Sequence, residues 1–257
     1  VPMFNESARG FLKKYSDGAI VSHTVNIIGM GESSVAEEIE DMFDAKNPTV
    51  APYAKSGEVR LRITAKAETA DEADKMCAPV VDEICSRLGD VVYGTDMNSI
   101  EERVVALLKE KGKKIATAES CTAGYIPKRL TDIPGASEVF ECGIVSYSND
   151  IKTKLLGVSP KTLETYGAVS EQTAREMALG AKHVSGADIA ISTTGLAGPG
   201  GDGVLPGGLS FAAVTDGERT VVEKIVTGHE NDREYNRYVT ASRALNLARL
   251  MLKEKIK

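Results

Sequence analysis

The pattern of apolar and polar positions divides the chain into two segments. In residues 17–94, runs rich in β-branched residues at 19–31, 58–67 and 90–94 predict strands. The segment "SSVAEEIEDMF" has an apolar residue on successive helical turns, and "TADEADKMCAPVVDEICSRLG" has an acidic start and a glycine stop, so both are predicted helices. Residues 47–57 contain two prolines and are predicted to be a loop. The order β-α-β-α-β indicates a small α+β module.

The second segment alternates longer helices with strands. A linker and helix occupy residues 95–114, where Ser99 and Glu102 have the spacing of a capping box. Because "TDGER" joins the last two strands as a hairpin, the sheet is predicted to be mixed. The pattern indicates a three-layer α/β/α domain with about five strands. Its strands are predicted at about 114–118, 139–147, 187–193, 208–215 and 219–226, and its other helices at about 123–132, 170–185 and 232–253.

Composition excludes several classes of protein. The net charge of −6 gives no general basic face for nucleic acid, and no apolar run is long enough for a membrane span. The four cysteines form no C-x-x-C pair and the three histidines are scattered, so we expect reduced thiols, no metal and no cofactor. We expect a cytoplasmic protein.

The segment "AESCTAG" places hydroxyl and thiol groups where a strand gives way to a helix. Ser120 is either the N-cap of helix 123–132 or a nucleophile, and the two roles are compatible, because free N–H groups at a helix start also stabilise an oxyanion. Cys121 is the rival nucleophile, although a thiol beside small residues is more typical of core packing.

Five segments together resemble the CinA family: "AESCTAG", "GIVSYSNDIK", "GAVSEQTA", "TTGLAGPGG" and "NDREYNR". Residues 98–255 resemble its C-terminal nicotinamide-nucleotide amidase domain, and residues 17–94 its KH-type middle domain. Residues 1–16 resemble the tail of the preceding pyrophosphatase domain, most of which is absent. The resemblance implies hydrolysis of nicotinamide mononucleotide to nicotinate mononucleotide and ammonia, a reaction of pyridine nucleotide salvage. We also expect a homodimer.

The resemblance also implies roles for individual residues. Ser120 would be the nucleophile and Lys152 the general base of a Ser–Lys dyad, with Tyr147 bonded to one of them. Without the resemblance, Lys152 would be interpreted as an ordinary solvated lysine. The glycines of residues 193–201 would form a tight turn, and Arg233 and Arg237 would lie on a solvated helix face. The glycine-rich turn would bind phosphate through backbone N–H groups, and two arginines four residues apart would clamp it. The substrate-binding residues would be Thr122, Thr194, Gly195, Gly198, Gly200, Arg233 and Arg237.

Two positions depart from the family pattern. Family members often have glycine where Ala123 stands, and a lysine that usually precedes the proline at Pro206 is missing. These departures favour an alternative, a catalytically weak nucleotide-binding or regulatory protein. RNA binding is not expected, because the glycines of "GMGE" have the wrong spacing for the GXXG loop of a KH domain.

Overall fold

A computed structural model describes residues 18–255, which form two compact units, one ending at Asp96 and the other beginning at Met97. The predicted tail at residues 1–16 lies outside the described part of the chain.

The first unit is a four-stranded antiparallel sheet with two helices, in the strand order β2-β3-β1-β4. Alternate residues of β3 face a core shared with both helices, which is the burial pattern of a half-exposed strand. The elements are β1 (Ala19–Ile28), α1 (Glu32–Glu38), β2 (Thr49–Lys55), β3 (Glu58–Ala67), α2 (Ala70–Leu88) and β4 (Val92–Thr95).

Strand β2 was not predicted, so the loop assigned to residues 47–57 is wrong. The strand contains Pro52, which lies opposite Leu61 of β3. Among residues 18–255, β2 pairs with β3 alone and is an edge strand, so a residue without an N–H group is tolerated there. Helix α2 of the same unit begins with a full capping box formed by Thr69 and Glu72.

The second unit confirms the predicted mixed α/β fold. Its sheet has the order β6-β5-β7-β8-β9, in which β5 is parallel to β6 and β7, while β8 is antiparallel to both of its neighbours, β7 and β9. The elements are α3 (Ile100–Lys111), β5 (Ile115–Glu119), α4 (Tyr125–Thr131), β6 (Phe140–Val145), α5 (Asn149–Leu156), α6 (Pro160–Tyr166), α7 (Glu171–Ser185), β7 (Ile189–Gly195), β8 (Leu209–Thr215), β9 (Thr220–Val226) and α8 (Arg233–Leu252).

Helices cover both faces of this sheet. Ala213 of β8 packs against Ala174 and Ala178 of α7. Ser210, three positions earlier and therefore on the opposite face, shares a hydrogen bond of 2.7 Å with Thr240 of α8. The three layers place the carboxyl ends of the parallel strands β5, β6 and β7 at one edge of the sheet.

Two short helices were missed, and one of them carries a candidate catalytic residue. Helix α5, which carries Lys152, begins after Ser148, whose hydroxyl accepts a hydrogen bond from the N–H group of Ile151, and ends at Gly157 in the left-handed conformation.

Helix α3 begins after Ser99 as predicted, but the Glu102 carboxylate accepts from the N–H group of Asn98, one residue before the position of a capping box.

Candidate active site

Ser120 directly follows strand β5 at the carboxyl edge of the parallel strands. Its N–H group donates a hydrogen bond of 2.9 Å to the carbonyl oxygen of Thr193 in β7. The turn at residues 121–124 then leads into α4. Ligand sites in open α/β sheets form at this edge, where strands end and loops begin.

Ser120 does not cap helix α4, so that interpretation of its hydroxyl is wrong. The N-cap position is Gly124, with φ of 87°, and no side chain of the N-cap accepts a hydrogen bond there. The carboxylate of Glu119 instead accepts from the N–H group of Ile126 at 3.2 Å. The N–H group of Tyr125 donates to the carbonyl oxygen of Thr122, so the first N–H groups of this helix have partners and the expected oxyanion donors are not found there.

Lys152 on α5 contacts the hydroxyl of Ser120. Its Nζ atom lies 3.1 Å from Ser120 Oγ, 2.8 Å from the carbonyl oxygen of Ser146 and 3.4 Å from that of Tyr147. The side chain is 1% exposed, and this burial lowers the pKa of Lys152 from its usual 10.5. No carboxylate within residues 18–255 opposes that shift. A buried lysine of this kind can exist as the neutral amine that a base requires.

Cys121 is poorly suited to act as the nucleophile. It is buried, and burial raises the pKa of its thiol to about 12. The thiolate, which is the reactive form, is therefore scarce at neutral pH.

A cavity of about 280 Å³ opens above the dyad. The glycine-rich loop after β7 forms one wall, and Gly195, Gly198 and Gly200 lie on it as expected. A Cβ atom on Gly198 would collide with the carbonyl oxygen of Glu230, so the loop packs too closely there for any side chain. The cavity is lined by Ser120, Cys121, Tyr147, Gly195, Leu196, Ala197, Gly198, Pro199, Gly200, Gly201 and Arg233.

Arg233 lies at the rim of this cavity together with Tyr147. The guanidinium donates hydrogen bonds to the carbonyl oxygen of Gly198 at 2.6 Å and to the hydroxyl of Tyr147 at 3.5 Å. The Tyr147 side chain is exposed, and its carbonyl oxygen rather than its phenol contacts Lys152. The expected hydrogen bond from the phenol of Tyr147 to the dyad is therefore not found.

Arg237 lies outside the cavity, although it is on the same helix face as Arg233. Its guanidinium donates to the carbonyl oxygen of Thr122 at 2.8 Å and lies 5.7 Å from the ring centre of Tyr125. The predicted pair of arginines is thus separated into one rim residue and one that supports the turn behind Ser120. Asp232 caps helix α8 as expected, by accepting from the N–H group of Tyr235.

The two predicted threonine contacts are also interior residues. The hydroxyl of Thr122 lies 2.6 Å from that of Thr193, and the hydroxyl of Thr194 donates to the carbonyl oxygen of Ala168 at 2.6 Å. Both side chains are buried and absent from the cavity wall, so they serve packing rather than substrate contact.

Two further groups lie next to the dyad, and neither was assigned a role from the sequence. The carbonyl oxygen of Ser146 is the shortest contact of the Lys152 amino group, and a backbone acceptor leaves no trace in residue type. The carboxyl of Glu119 is fully buried beside the nucleophile. The sequence feature that could have indicated this is an acidic residue at the end of an apolar strand.

Family profiles match both units of the chain. The profile of the CinA C-terminal domain matches residues 97–252, and that of the damage-inducible protein CinA KH domain matches residues 22–94. The chain belongs to the CinA family. The boundary between these two CinA regions falls where the two compact units meet in the chain.

Relatives and solved structures extend the CinA comparison. A putative competence-damage inducible protein of Clostridium beijerinckii is 52% identical over 90% of this chain and 57% of its own length. A CinA-like protein of Desulfovibrio desulfuricans is 43% identical over 97% of this chain and 59% of its own length. The crystal structure of the competence/damage inducible protein CihA of Agrobacterium tumefaciens matches with a TM-score of 0.57 at 38% identity, over 60% of this chain and 93% of that one.

The chain spans less than two thirds of the length of these curated relatives. Within the part of the chain that the structure describes, no helix combines the length and apolar character that a membrane span requires.

Proposed function

We propose that the second unit hydrolyses the carboxamide of nicotinamide mononucleotide, with Ser120 as nucleophile and Lys152 as general base. The observation that carries the proposal is the 3.1 Å contact between Lys152 Nζ and Ser120 Oγ at the base of an open cavity. The lowered pKa of Lys152 supports it, because a neutral amine can accept the proton of a serine hydroxyl.

The reaction proceeds in two halves. Ser120 Oγ attacks the carboxamide carbon while Lys152 takes its proton, and the lysine then delivers that proton to the departing nitrogen, which leaves as ammonia. A water molecule attacks the resulting ester, Lys152 accepts a proton from it, and cleavage of the ester returns a proton to Ser120. The products are the regenerated dyad and a carboxylic acid, which releases its proton to solvent or to the ammonia and becomes the carboxylate.

Recognition of the nucleotide is assigned to the rim of the cavity. The glycine-rich loop at residues 195–201 brings backbone close to the ligand, and Arg233 supplies a cation at its end. A phosphate attached to the substrate would meet this guanidinium, since charge-assisted bonds from arginine suit phosphate oxygens. Arg237 and the two buried threonines have no part in this contact.

Release of ammonia from nicotinamide mononucleotide tests the proposal. We expect turnover by the wild-type chain and none by Ser120→Ala, with plain nicotinamide a poor substrate because it lacks the phosphate that positions it. Tight binding of the nucleotide without any ammonia would instead identify the alternative, a nucleotide-binding protein that does not turn over.

A further inference from the structure

Glu119 is a buried carboxyl group beside the nucleophile that the proposed reaction does not use. It is the last residue of β5 and its side chain is fully buried. Oε2 accepts the hydrogen bond from the N–H group of Ile126, whereas Oε1 has no partner among residues 18–255. Burying a carboxyl group costs free energy because the group loses its hydration, so we expect an interaction that offsets this cost.

The carboxyl group lies against the turn that follows Ser120. In this turn Ala123 has φ of 51° and Gly124 has φ of 87°. The N–H group of Ile126, the second residue of α4, donates to the Glu119 carboxyl at 3.2 Å, and that of Tyr125 donates to the carbonyl oxygen of Thr122 at 3.2 Å. A residue with a Cβ atom keeps a left-handed conformation only where its surroundings hold it. The carboxyl oxygen contributes to such a hold, because it anchors the N–H group of Ile126 just beyond the turn.

The main chain of Glu119 contacts the other half of the dyad. Its carbonyl oxygen accepts a hydrogen bond of 2.8 Å from the N–H group of Ser146, and the carbonyl oxygen of Ser146 accepts one of 2.8 Å from Lys152 Nζ. Glu119 therefore connects the turn that follows Ser120 with the segment whose carbonyl oxygen binds Lys152.

We propose that Glu119 is a positioning residue, whose side chain holds the turn after Ser120 and thereby sets the separation of Ser120 Oγ from Lys152 Nζ. The inference rests on the proposed dyad mechanism. The role requires an acceptor oxygen at the correct reach and not a negative charge. Burial raises the pKa of the Glu119 carboxyl, with the hydroxyl of Thr122 and the turn N–H groups acting in the opposite direction, which agrees with a role that does not depend on charge.

Three substitutions separate reach from charge. Glu119→Gln keeps an acceptor oxygen at the same distance without the charge, Glu119→Asp keeps the charge but withdraws it by one methylene group, and Glu119→Ala removes both. Thr117→Val is the matched control, because Thr117 is also buried on the same face of β5 and its hydroxyl has no partner among the described residues.

The first measurement is the rate constant for covalent labelling of Ser120 by a fluorophosphonate probe, read by mass spectrometry. Partial unfolding lowers the extent of labelling, whereas misplacement of Ser120 lowers the rate constant. We expect Glu119→Gln and Thr117→Val to react like the wild-type chain. Glu119→Asp and Glu119→Ala should react about 10²-fold more slowly, the effect of a displacement of about 1 Å. With nicotinamide mononucleotide as substrate, kcat should fall for Glu119→Asp and Glu119→Ala but not for Glu119→Gln or Thr117→Val, and KM should stay unchanged.

Three results for the labelling rate constant would overturn the inference. Glu119→Asp could react as fast as the wild-type chain while Glu119→Gln is slow, or all variants could react at the same rate. Glu119→Gln could also react as slowly as Glu119→Ala. If Glu119→Ala does not fold, the Gln and Asp variants decide. Labelling of Ser120 without ammonia release refutes the proposed substrate alone, and the variant series still tests Glu119. A wild-type chain whose Ser120 is not labelled refutes both proposals.

Discussion

Lys152 Nζ lies 3.1 Å from Ser120 Oγ, although the two residues are 32 positions apart in the chain. The contact joins the end of β5 to helix α5, so it depends on the packing of two elements and not on a local turn. Both residues are buried, but Ser120 lines the cavity whereas Lys152 lies behind it, so a ligand in the cavity would meet the serine first.

The first prediction concerns the base. Because burial holds the pKa of Lys152 below 10.5, the neutral amine accumulates as pH rises through that lowered value, and kcat/KM should increase over the same range. Lys152→Arg keeps the charge but cannot lose its proton, so it should be as inactive as Lys152→Ala. A pH–rate profile of all three proteins is the measurement. Near wild-type turnover by Lys152→Arg would mean that the residue acts only as a cation.

The second prediction distinguishes the two possible nucleophiles. Ser120→Ala should abolish ammonia release, because the remaining thiol of Cys121 has a pKa raised to about 12 and is protonated. Cys121→Ala should keep most of the activity. Circular dichroism of both variants checks that the fold persists, and the reverse pattern of activities would assign the attack to sulfur.

The general fold followed from the sequence because periodicity reports burial on one face. The five strands of the second unit and their alternation with helices are visible as apolar runs between capping residues and glycines. Strand β2 escaped, because Pro52 and Pro48 indicate a loop unless the strand is known to lie at an edge. That position depends on which strands pair, and pairing is a tertiary property.

The site was predictable only as far as residue type and order allow. Spacing put Arg233 and Arg237 on one helix face, yet only Arg233 reaches the cavity, because the other packs on Tyr125. Likewise, the hydroxyl of Thr194 is directed to the carbonyl oxygen of Ala168. Which of several polar side chains faces a ligand depends on packing against distant segments, and a linear motif does not contain that information.

The third prediction follows from this separation of the arginines. Arg233→Met should raise KM for nicotinamide mononucleotide by roughly one to two orders of magnitude, equivalent to about 1.5–3 kcal/mol for a charge-assisted hydrogen bond, with little change in kcat. The weak turnover of plain nicotinamide should not change, since it has no phosphate. Arg237→Met should instead lower kcat, because the carbonyl oxygen of Thr122 behind the nucleophile loses its donor. Equal KM effects of the two substitutions would contradict the assignment.

The fourth prediction concerns the stability of the first unit as a function of pH. The ring of His23 lies between two carboxylates, with Nδ1 2.6 Å from Asp96 and Nε2 2.9 Å from Asp74. The hydrogen bond to Asp96 and that to Asp74 raise the pKa of His23 above 6.5, against the effect of burial. The folded state therefore binds the proton more tightly than the unfolded state. This stabilisation is complete below about pH 6.5 and is lost as pH rises through the raised pKa.

Substitution tests the sign of that effect. His23→Gln should lower the free energy of unfolding of the first unit more at about pH 5.5 than at about pH 9, because only the imidazolium interacts with both carboxylates as ion pairs. Urea unfolding of both proteins at the two pH values measures the difference. A larger loss at the higher pH would show that the neutral ring is the stabilising form.

The last prediction concerns Ala123, whose backbone conformation favours glycine. Ala123 has φ of 51°, a conformation that costs a residue with a Cβ atom about 1–2 kcal/mol, whereas glycine loses only about 0.5–1 kcal/mol in extra chain entropy. Ala123→Gly should therefore raise the free energy of unfolding of the second unit by about 0.5–1 kcal/mol. Gly124→Ala is the matched control: a Cβ atom there meets only Val145 at an ordinary 3.8 Å, but φ is 87°. That variant should lose about 1 kcal/mol by the same reasoning, because its cost is conformational and not steric. Chemical denaturation of the three proteins gives both values, and a destabilised Ala123→Gly would mean that contacts of the Ala123 methyl group outweigh the strain in its backbone.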